Sequence, residues 1–397
     1  HVSSTERDVH PLCANFLAAA KEAGFHRNPD FNGADQEGVG LYQITAKNGF
    51  RMSTARAFLS PARKRANVDV ITRAHTTRLI VEDGRVAGAV YKRNGAEVTV
   101  RARREVVLSA GAVNSPQILM LSGIGDGAEL QAKGIETLLH RPAVGKNLQD
   151  HLGHDYLYRS RLPTLNQQLY PWWGKLFQGI RYVLTRRGPL SLSVNQAGGF
   201  VHSNPDTPRP NMQLYFSPVS YTKAPKGKRP LMNPDPFPGF LLGMQPTRPT
   251  SRGHITLRSS DPFDTPEIHP NSLSTNHDLN EMIEGCRLMR QIAGTPAMQA
   301  IIEEEISPGP AVQSDEDMLE DVRNRCSTVF HPVSTCRMGP DETENVVDHR
   351  LKVHGIEGLR IVDASIFPTV TSGNTNAPTI MVGEKGADMI LEDTRAA

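Results

Sequence analysis

The stretch GAVNSPQILMLSGIG, residues 111–125, follows the apolar run EVVLSAG (105–111). A short, uninterrupted apolar run is typical of a strand buried in a parallel sheet. Ser115 and Pro116 predict the N-cap and the first position of a helix, which Gly123 would end. A strand, a turn of small residues and a helix start form a place where a phosphate or another anionic group can bind. The stretch therefore predicts an α/β domain with a ligand site at this turn.

The residues before this strand predict a β-meander. Three runs rich in β-branched and apolar residues lie between residues 69 and 104, separated by Asp83-Gly84 and Asn94-Gly95. These two dipeptides supply the positive φ angles that tight hairpin turns need. The meander would lead directly into the buried strand.

Residues 153–325 have a different pattern. MQLYF (212–216) and HITLR (254–258) alternate apolar and polar side chains, as half-buried antiparallel strands do. HDLNEMIEGCRLMRQIAG (277–294) places its apolar side chains, Cys286 among them, on one face of a helix. This region predicts a separate domain, with an antiparallel sheet covered by helices.

The two ends of the chain return to α/β character. NFLAAAKEAGF (15–25) predicts a short helix, and LRIVDAS (359–365) predicts a buried strand ending at Asp363. A helix is expected from about Asn376 to the end of the chain. The sequence thus divides into residues 1–152, 153–325 and 326–397, and the first and last parts would build one domain together.

Composition excludes several functional classes. The 397 residues carry a formal net charge of +2, so no strong overall field favours nucleic acid or anionic membranes. The densest basic run, Lys223–Arg229, is broken by Pro and Gly and predicts a solvated loop. No run reaches the ~18 apolar residues that a membrane helix needs. The sequence opens without Met or a signal peptide, so we expect the true N-terminus to lie elsewhere and the protein to be cytoplasmic, with attachment to a membrane surface as the alternative.

Neither the cysteines nor the histidines predict a metal site. Cysteines 13, 286, 326 and 336 form no CxxC pair, which favours reduced thiols. HLGH (151–154) offers two imidazoles with no third ligand nearby, and GIGDG (123–127) follows a helix rather than a strand, unlike a dinucleotide fingerprint. HPVSTCRMGP (331–340) is more puzzling, because His331 taken alone would be an ordinary structural or solvent histidine.

Read together, five blocks give a stronger signal than any one of them. In chain order they are GAVNSPQILMLSGIG (111–125), VGKNLQDH (144–151), PTSRGHITLRSSDP (249–262), HPVSTCRMG (331–339) and LRIVDASIFPTVTSGNTNAPTIMVGEKGADMI (359–390). Their content and order resemble the glucose-methanol-choline (GMC) oxidoreductases. The resemblance covers nearly the whole chain, and its nearest branch is that of the choline dehydrogenases and bacterial alcohol dehydrogenases.

The resemblance implies FAD-dependent oxidation of a primary alcohol to an aldehyde, with hydride transfer to flavin N5. A dehydrogenase is expected rather than an oxidase, with a quinone, a dye or O2 as electron acceptor. The family's catalytic histidine falls on His331, whose imidazole suits proton transfer near neutral pH. The second catalytic position falls on Asn374, as in choline-type enzymes. An amide can form hydrogen bonds but cannot act as a base.

The resemblance also implies which residues line the cofactor and substrate sites. Expected flavin-site residues are Thr76, Ala110, Asp363, Ala364, Asn374, Thr375 and Asn376. Expected substrate-pocket residues are Phe330, Asn195 and Gln196. No residues are expected to bind a metal.

One part of the family pattern is missing. No GxGxxG follows a strand, and the N-terminal βαβ unit is not found. We therefore expect an incomplete FAD-binding, Rossmann-like domain formed by 1–152 and 326–397, a substrate-binding domain at 153–325, and a separate N-terminal segment as a partner that completes the FAD site. The fold class is α/β and α+β. Two other functions remain open at this point, a hydroxynitrile-lyase-like activity without net redox chemistry and an inactive fragment.

Overall fold

The computed structural model describes residues 1–222 and 233–396. The basic run Lys223–Arg229, predicted to be a loop, lies outside these residues. The chain forms two compact units, which we call unit one (residues 1–68, 152–247 and 279–327) and unit two (residues 69–151, 248–278 and 328–397). Residues 1–68 belong to unit one because their helix and longest strand pack into its sheet. The functional roles of the units stay predictions.

The helices of the described chain are numbered in chain order. The α-helices are α1 Leu12–Glu22, α2 Ser60–Ala62, α3 Gly111–Leu121, α4 Gly127–Ala132, α5 Asn166–Leu169, α6 Trp172–Thr185, α7 Asn276–Ala293, α8 Pro296–Gln299, α9 Asp315–Arg325 and α10 Asn376–Ala396. A π-helical turn covers Ala55–Leu59, and 3₁₀ turns cover Pro189–Ser191 and Ala364–Ile366.

The strands are numbered in the same way. They are β1 Gly38–Leu41, β2 Ala46–Lys47, β3 Phe50–Arg51, β4 His75–Glu82, β5 Arg85–Arg93, β6 Ala96–Arg101, β7 Val106–Leu108, β8 Ile124–Gly125, β9 Leu139–His140, β10 Leu152–Ser160, β11 Ala197–Val201, β12 Met212–Ser217, β13 Tyr221–Thr222, β14 Asn233–Pro234, β15 Gly239–Pro246, β16 His254–Thr256, β17 Glu267–His269, β18 Ile302–Ser307, β19 Ser327–Thr328 and β20 Leu359–Ile361.

Unit one is built on an antiparallel sheet. Its strands follow the order β1-β11-β12-β15-β10-β18. All of β15 is buried, as expected for a central strand covered on both faces. Phe16 of α1 stacks on Phe216 of β12 with 5.2 Å between ring centroids, and Cys286 of α7 is fully buried as predicted. The predicted antiparallel sheet with covering helices is therefore confirmed.

Unit two contains the predicted meander. Strands β4, β5 and β6 pair in sequence, and both connecting turns have positive φ at each central residue. The values are 49° and 74° at Asp83 and Gly84, and 52° and 85° at Asn94 and Gly95. These angles match the mirror-image turns that suit the twist of a hairpin. The predicted strand at 254–258 is shorter, 254–256, and pairs with β17 in unit two rather than in the sheet of unit one.

The α/β stretch that opened the sequence forms a parallel pair, β7 with β20, followed by α3. The predicted start of α3 was wrong, because the helix begins at Gly111 and contains Pro116 in its interior. Pro116 lacks the N–H that would bond to the Ala112 carbonyl. The Thr335 hydroxyl donates to that carbonyl instead, at 2.6 Å, so the proline leaves no buried acceptor unsatisfied.

The C-terminal helix α10 confirms the helix predicted from about Asn376. The guanidinium of buried Arg360 on β20 donates to Glu105, at 2.7 Å, and to Asp393 of α10. These charged hydrogen bonds fix the end of α10 against the parallel pair. In the part of the chain that the structure describes, no helix has the length and apolar content that crossing a membrane demands.

Candidate active site

Four of the five sequence blocks meet in unit two through backbone hydrogen bonds. Leu148 exchanges two such bonds with Gly253, at 3.0 and 2.8 Å. Gln149 exchanges two with Val333, at 3.2 and 2.9 Å. The segment 144–151 thus lies between the block at 249–262 and the block at 331–339. Cys336 donates its N–H to Ser365, at 2.9 Å, which joins the block at 359–390 to the same cluster.

The buried side chain of Gln149 ties the cluster together. Its amide nitrogen donates to the Pro249 carbonyl at 2.7 Å, and its amide oxygen accepts from the Val370 N–H at 3.1 Å. One side chain therefore connects three segments that are distant in sequence. Nothing in the sequence pattern predicted this role.

His331 lies at the centre of the cluster and is buried. Its Nδ1 is 3.0 Å from Nδ1 of His151, and its Nε2 is 3.2 Å from Nδ2 of Asn374. The two imidazole rings meet edge to face, with 5.2 Å between centroids and 85° between planes. The structure therefore brings His331 and Asn374 together, as the sequence predicted. The imidazole of His151 is an addition that the sequence analysis did not foresee.

The hydrogen bonds define how the His331 ring is protonated. An amide nitrogen can only donate, so Nε2 of His331 is the acceptor in its contact with Asn374. The proton of the neutral ring is then on Nδ1, which donates to the Nδ1 lone pair of His151. This assignment follows from the network, since hydrogen positions and amide orientation are inferred from partners. It leaves the Nε2 lone pair of His331 on the side of Asn374.

The surroundings of His331 lower its pKa to about 4, first because the ring is buried and second because of the charge on His151. The sequence analysis expected a value near neutral. Burial disfavours the imidazolium, and the ring contacts His151 and Asn374 rather than a carboxylate that would offset that cost. His331 is consequently neutral at physiological pH and able to accept a proton.

The loop before His331 is fixed by Asp150. The carboxylate accepts from the His331 backbone N–H at 2.8 Å and from the Thr328 hydroxyl. Burial raises the pKa of Asp150, although these hydrogen bonds oppose the shift. Phe330 has a positive φ of 62° and a 77% exposed side chain. An aromatic residue held in the left-handed region and facing outward suits a role in contacting a ligand.

Asp363 organises the turn after the parallel strands. One carboxylate oxygen accepts from the Gly111 N–H at 2.9 Å and from the Ser115 hydroxyl at 2.5 Å. The other accepts from the Ser365 N–H at 2.8 Å and caps the 3₁₀ turn that starts at Ala364. Ser115 is therefore a link between α3 and Asp363 rather than the predicted N-cap. Ala110, the residue before α3, accompanies these residues at the carboxyl ends of β7 and β20.

Helix α10 starts two residues after Asn374. Thr375 is buried, and its carbonyl accepts from the N–H and hydroxyl of Thr379. Asn376, the first helical residue, is exposed. The positive end of a helix dipole therefore lies next in sequence to the residue that contacts His331.

The remaining predicted site residues are in other places. Thr76 lies on β4 of the meander in unit two and is half-buried. Asn195 and Gln196 belong to unit one. The Asn195 amide oxygen accepts from Ser217 at 2.5 Å, and the Gln196 amide oxygen accepts from the His10 N–H at 2.7 Å. Both amide oxygens have hydrogen-bond partners within unit one, and a contact of either side chain with a substrate stays a prediction.

The two histidines of HLGH do not act as a pair. His151 contacts His331 in unit two, whereas His154 in unit one contacts Asp321, with Nε2 and Oδ2 2.9 Å apart. Among the described residues, no group of three or more His, Cys, Asp or Glu side chains is placed to hold a metal ion. The signal that could have revealed His151 is its position at the end of the VGKNLQDH block.

Comparison with known proteins agrees with this arrangement. The sequence pattern of the GMC oxidoreductases matches residues 1–153 and 249–383. An alcohol dehydrogenase (acceptor) from Pseudomonas putida is 44% identical over 388 residues, covering 97% of this chain and 69% of that protein. An oxygen-dependent choline dehydrogenase from Staphylococcus saprophyticus is 42% identical over 393 residues, covering 96% of this chain and 67% of that protein.

Solved structures show the same fold. Pyridoxine 4-oxidase from Mesorbium loti superimposes with a TM-score of 0.84 at 27% identity, covering 98% of this chain and 71% of that one. A variant of formate oxidase from Aspergillus oryzae gives a TM-score of 0.90 at 26% identity, covering all of this chain and 73% of that one. The predicted fold class and the resemblance are both confirmed, and the chain belongs to the family of GMC oxidoreductases.

Proposed function

We propose that this protein oxidises a primary alcohol to an aldehyde with FAD, and that His331 accepts the hydroxyl proton. FAD-dependent oxidation of alcohols is the chemistry that the family and its dehydrogenase relatives support. The proposed role of His331 rests on the state of its imidazole ring. It is buried and neutral, and its Nε2 lone pair lies beside the amide of Asn374.

The proton step follows from this arrangement. In the substrate complex the alcohol hydroxyl would replace the Asn374 amide as the donor to Nε2 of His331, and the amide would donate to the alcohol oxygen instead. Transfer of the proton leaves an imidazolium beside an alkoxide. The free enzyme disfavours the imidazolium, but a neighbouring negative charge raises the pKa of the ring and favours proton transfer. The amide of Asn374 stabilises the alkoxide by a charge-assisted hydrogen bond.

His151 has a positioning role in this proposal. When His331 is protonated at both ring nitrogens, its Nδ1–H still donates to the Nδ1 lone pair of His151. The partner therefore fixes the ring plane in both protonation states without itself touching the substrate. Asp150 fixes the backbone of the same residue from the other side.

The residues around the parallel strands fit the cofactor. Gly111 has a φ of 83°, and a Cβ built there would have open space around it, with no atom within 4 Å. This space lies where two parallel strands end and α3 begins, which is the usual position of a nucleotide in an α/β sheet. Ala110, Asp363, Ala364 and the start of α10 at Asn374, Thr375 and Asn376 would border the flavin. Thr76 is proposed to contact its adenine side.

FAD would supply the acceptor for the hydride, which carries two electrons away from the alcohol carbon. The pyrophosphate is ordinarily held by a glycine-rich first turn, a pattern that we do not find after a strand in residues 1–397. We propose that a further N-terminal segment supplies this turn. The protein is proposed to work in the cytoplasm, free or attached to the surface of a membrane.

The substrate class is proposed from the relatives. The two curated relatives are named for alcohol and choline, and both are dehydrogenases. We therefore propose a small primary alcohol as substrate and a dehydrogenase rather than an oxidase, with a quinone, a dye or O2 receiving the electrons. The lyase and inactive-fragment alternatives are not favoured by these comparisons.

The test is a spectroscopic titration of the full-length natural polypeptide, with residues 1–397 expressed alone as the comparison. Each is purified by gel filtration, its visible flavin spectrum is recorded, and a panel of alcohols and one cyanohydrin is added without oxygen. We expect the full-length protein to be yellow and to bleach with at least one primary alcohol. We expect residues 1–397 alone to be colourless.

Three results would contradict the proposal. Cleavage of the cyanohydrin without bleaching would show a lyase. Full-length protein that is folded, yellow and inert to every alcohol would contradict the redox assignment. Residues 1–397 that retain stoichiometric flavin would show that no further segment is needed. Adding a dye or O2 to the bleached protein separates a dehydrogenase from an oxidase by the rate at which colour returns.

A further inference from the structure

Helix α6 of unit one exposes its apolar side chains instead of burying them. Its buried residues are Gly174 and Gln178, one of them without a side chain and the other polar. Its large apolar side chains face outward instead. A surface helix of a globular protein normally buries its apolar stripe and exposes its polar one. This inversion indicates that the apolar stripe serves contact with something other than the protein core.

The outward stripe is continuous. Seven large apolar residues share it: Trp172, Trp173, Leu176, Phe177, Ile180, Val183 and Leu184. Each is more than half exposed. At ~100° per residue they cover an arc of about 140° along a helix about 21 Å long. We call these seven residues the α6 face. Isolated exposed apolar residues are normal, but a contiguous stripe of this kind marks an interaction surface.

Positive charges border the α6 face. Lys175 and Arg181 are exposed on the two sides of the stripe, and Arg187 follows the end of the helix. Between Asp155 and Asp206 the sequence has no acidic residue. The whole chain has 44 basic and 42 acidic residues, so an even distribution would place acidic as well as basic residues in a segment of this length. The segment instead has one sign only.

A second basic segment adjoins the C-terminal end of α6. The guanidinium groups of Arg186 and Arg56 lie on the same Phe50 ring, at 4.5 and 4.2 Å from its centroid. Arg56 belongs to the π-helical turn that also exposes Phe58 and Leu59. Residues 38–68 likewise contain no acidic residue, and they include the run Arg63-Lys64-Arg65. The apolar and basic surface therefore extends beyond the helix itself.

Both tryptophans of the chain are on this helix. Trp172 is 76% exposed and Trp173 is 61% exposed. Tryptophan is enriched at the interface between lipid and water, where its ring is partly buried and its N–H stays hydrated. A helix with Trp, Phe and Leu on one face and Lys and Arg beside it has the composition of helices that lie in that interface.

We propose that the α6 face binds the surface of a bilayer containing anionic lipids, with α6 lying in the plane of the membrane. Its apolar side chains would enter the boundary between headgroups and acyl chains. Lys175, Arg181 and Arg187 would pair with lipid phosphates.

A second copy of this chain is a poorer occupant. A symmetric dimer through the α6 face would place the same patch of both subunits together. In such a dimer Lys175, Arg181 and Arg187 of one copy would lie near the same three residues of the other, and these like charges repel each other. Anionic lipid instead complements both the apolar stripe and the charge around it.

The test measures binding of the full-length protein to vesicles by sedimentation. One set of vesicles is made of phosphatidylcholine, and the other also contains phosphatidylglycerol. We expect binding to the second set, weakening with added salt because the charge contribution is screened. Brominated acyl chains in the second set should quench the tryptophan fluorescence of the full-length protein, and less so in a variant carrying Trp172→Phe and Trp173→Phe.

Matched variants locate the surface. Leu176→Asp should weaken vesicle binding by at least about tenfold, because one large apolar side chain no longer enters the lipid and a charge replaces it. Leu391→Asp is the control, since Leu391 is also a helical leucine with the same 56% exposure but lies on α10. Arg181→Glu should weaken binding about fivefold or more, and Arg103→Glu on the exposed surface of unit two should leave it unchanged. Turnover with soluble substrate and acceptor should be unaltered in all four.

Several outcomes would overturn the proposal. Wild-type protein that binds neither set of vesicles contradicts it directly. A dimer that Leu176→Asp converts to monomer would identify a second copy as the occupant. A monomer in which both tryptophans are already shielded from an aqueous quencher would show that another part of the full-length polypeptide covers the face. Equal weakening by Leu176→Asp and Leu391→Asp would remove α6 from the interaction.

Discussion

His151 and His154 stand in the same four-residue stretch, and both are fully buried, yet their surroundings have opposite chemistry. His151 meets another imidazole, that of His331, whose second nitrogen contacts an amide. His154 meets the carboxylate of Asp321, which also accepts two hydrogen bonds from Arg325. The first pair consists of two imidazoles, of which His331 is neutral at physiological pH. The second is a charged network within unit one.

The comparison teaches that burial alone does not distinguish a catalytic histidine from a structural one. Burial lowers the pKa of both His331 and His154. At His154 the hydrogen bond to Asp321 opposes that shift, while at His331 the neighbouring His151 adds to it. A buried histidine that is hydrogen-bonded to a carboxylate serves stability, and one that is kept neutral without such a partner can accept a proton from a ligand.

The strongest test of the comparison is a pair of substitutions, His331→Ala and His154→Ala. We expect His331→Ala to lower kcat by a factor on the order of 10²–10⁴, the usual contribution of general acid–base catalysis, with little loss of stability or bound flavin. His154→Ala should keep turnover per bound flavin but lower the free energy of unfolding by about 2 kcal/mol or more through the cavity it leaves. Steady-state kinetics and denaturant unfolding of both variants provide the measurement.

If His154→Ala lost turnover and His331→Ala lost stability instead, the catalytic and structural roles of the two histidines would have to be exchanged. Near wild-type turnover in His331→Ala would remove that residue from the mechanism, whatever the fate of His154.

Asp321→Asn tests how much the contact between His154 and Asp321 stabilises the fold. Burial alone would raise the pKa of Asp321, but hydrogen bonds from Arg325 and His154 lower it below its ordinary value. We expect a loss of about 3 kcal/mol in unfolding free energy at neutral pH, since breaking a buried ion pair typically costs 3–5 kcal/mol. A carboxylate with a lowered pKa stabilises the fold above its unfolded pKa, and that contribution is lost as pH falls through the folded pKa. The difference between wild type and variant should therefore shrink below about pH 4, which chemical unfolding at several pH values would reveal.

Asn374→Ala removes the amide from the catalytic pair. We expect turnover to fall by about 10–100-fold, because one hydrogen bond to a charged group contributes about 1.5–3 kcal/mol. This loss is smaller than that of His331→Ala, and Asn374→His should keep partial activity. If Asn374→Ala proved the more damaging of the two, the division between base and positioning residue would have to be reversed.

His151→Gln should have the smallest effect. Glutamine retains an acceptor for the Nδ1–H of His331, so turnover at neutral pH should fall by less than about tenfold. Burial of His331 would persist, but the unfavourable charge of His151 would be gone, so the pKa of His331 should rise from about 4. Because the base must be unprotonated, the acid limb of the pH profile of kcat/KM should move to higher pH. An acid limb that stays in place would show that His151 does not influence the ring.

Much of the site was readable in the sequence. The blocks around His331 and Asn374 placed both residues together, and Asp83-Gly84 and Asn94-Gly95 placed the meander turns. These predictions rested on local chemistry, such as the positive φ that the turn glycines allow, or on ordered motifs. The start of α3 was misplaced for the opposite reason. Ser115-Pro116 satisfies a local rule for helix starts. The hydroxyl of Thr335, which is distant in sequence, donates to the Ala112 carbonyl, so the helix can continue through the proline.

What the sequence alone determined is the family and the cofactor class, and it also supplied His331 as the proposed proton acceptor, since each depends on residue types at fixed spacing. What only the tertiary structure decided is the environment of those residues. The pKa of His331 depends on burial and on a histidine from another segment, and Gln149 joins three segments by one amide. The outward face of α6 was equally invisible, because an apolar stripe at helical spacing looks the same whether it is buried or exposed. Local pattern fixes which face of a helix is apolar, and long-range packing decides where that face points.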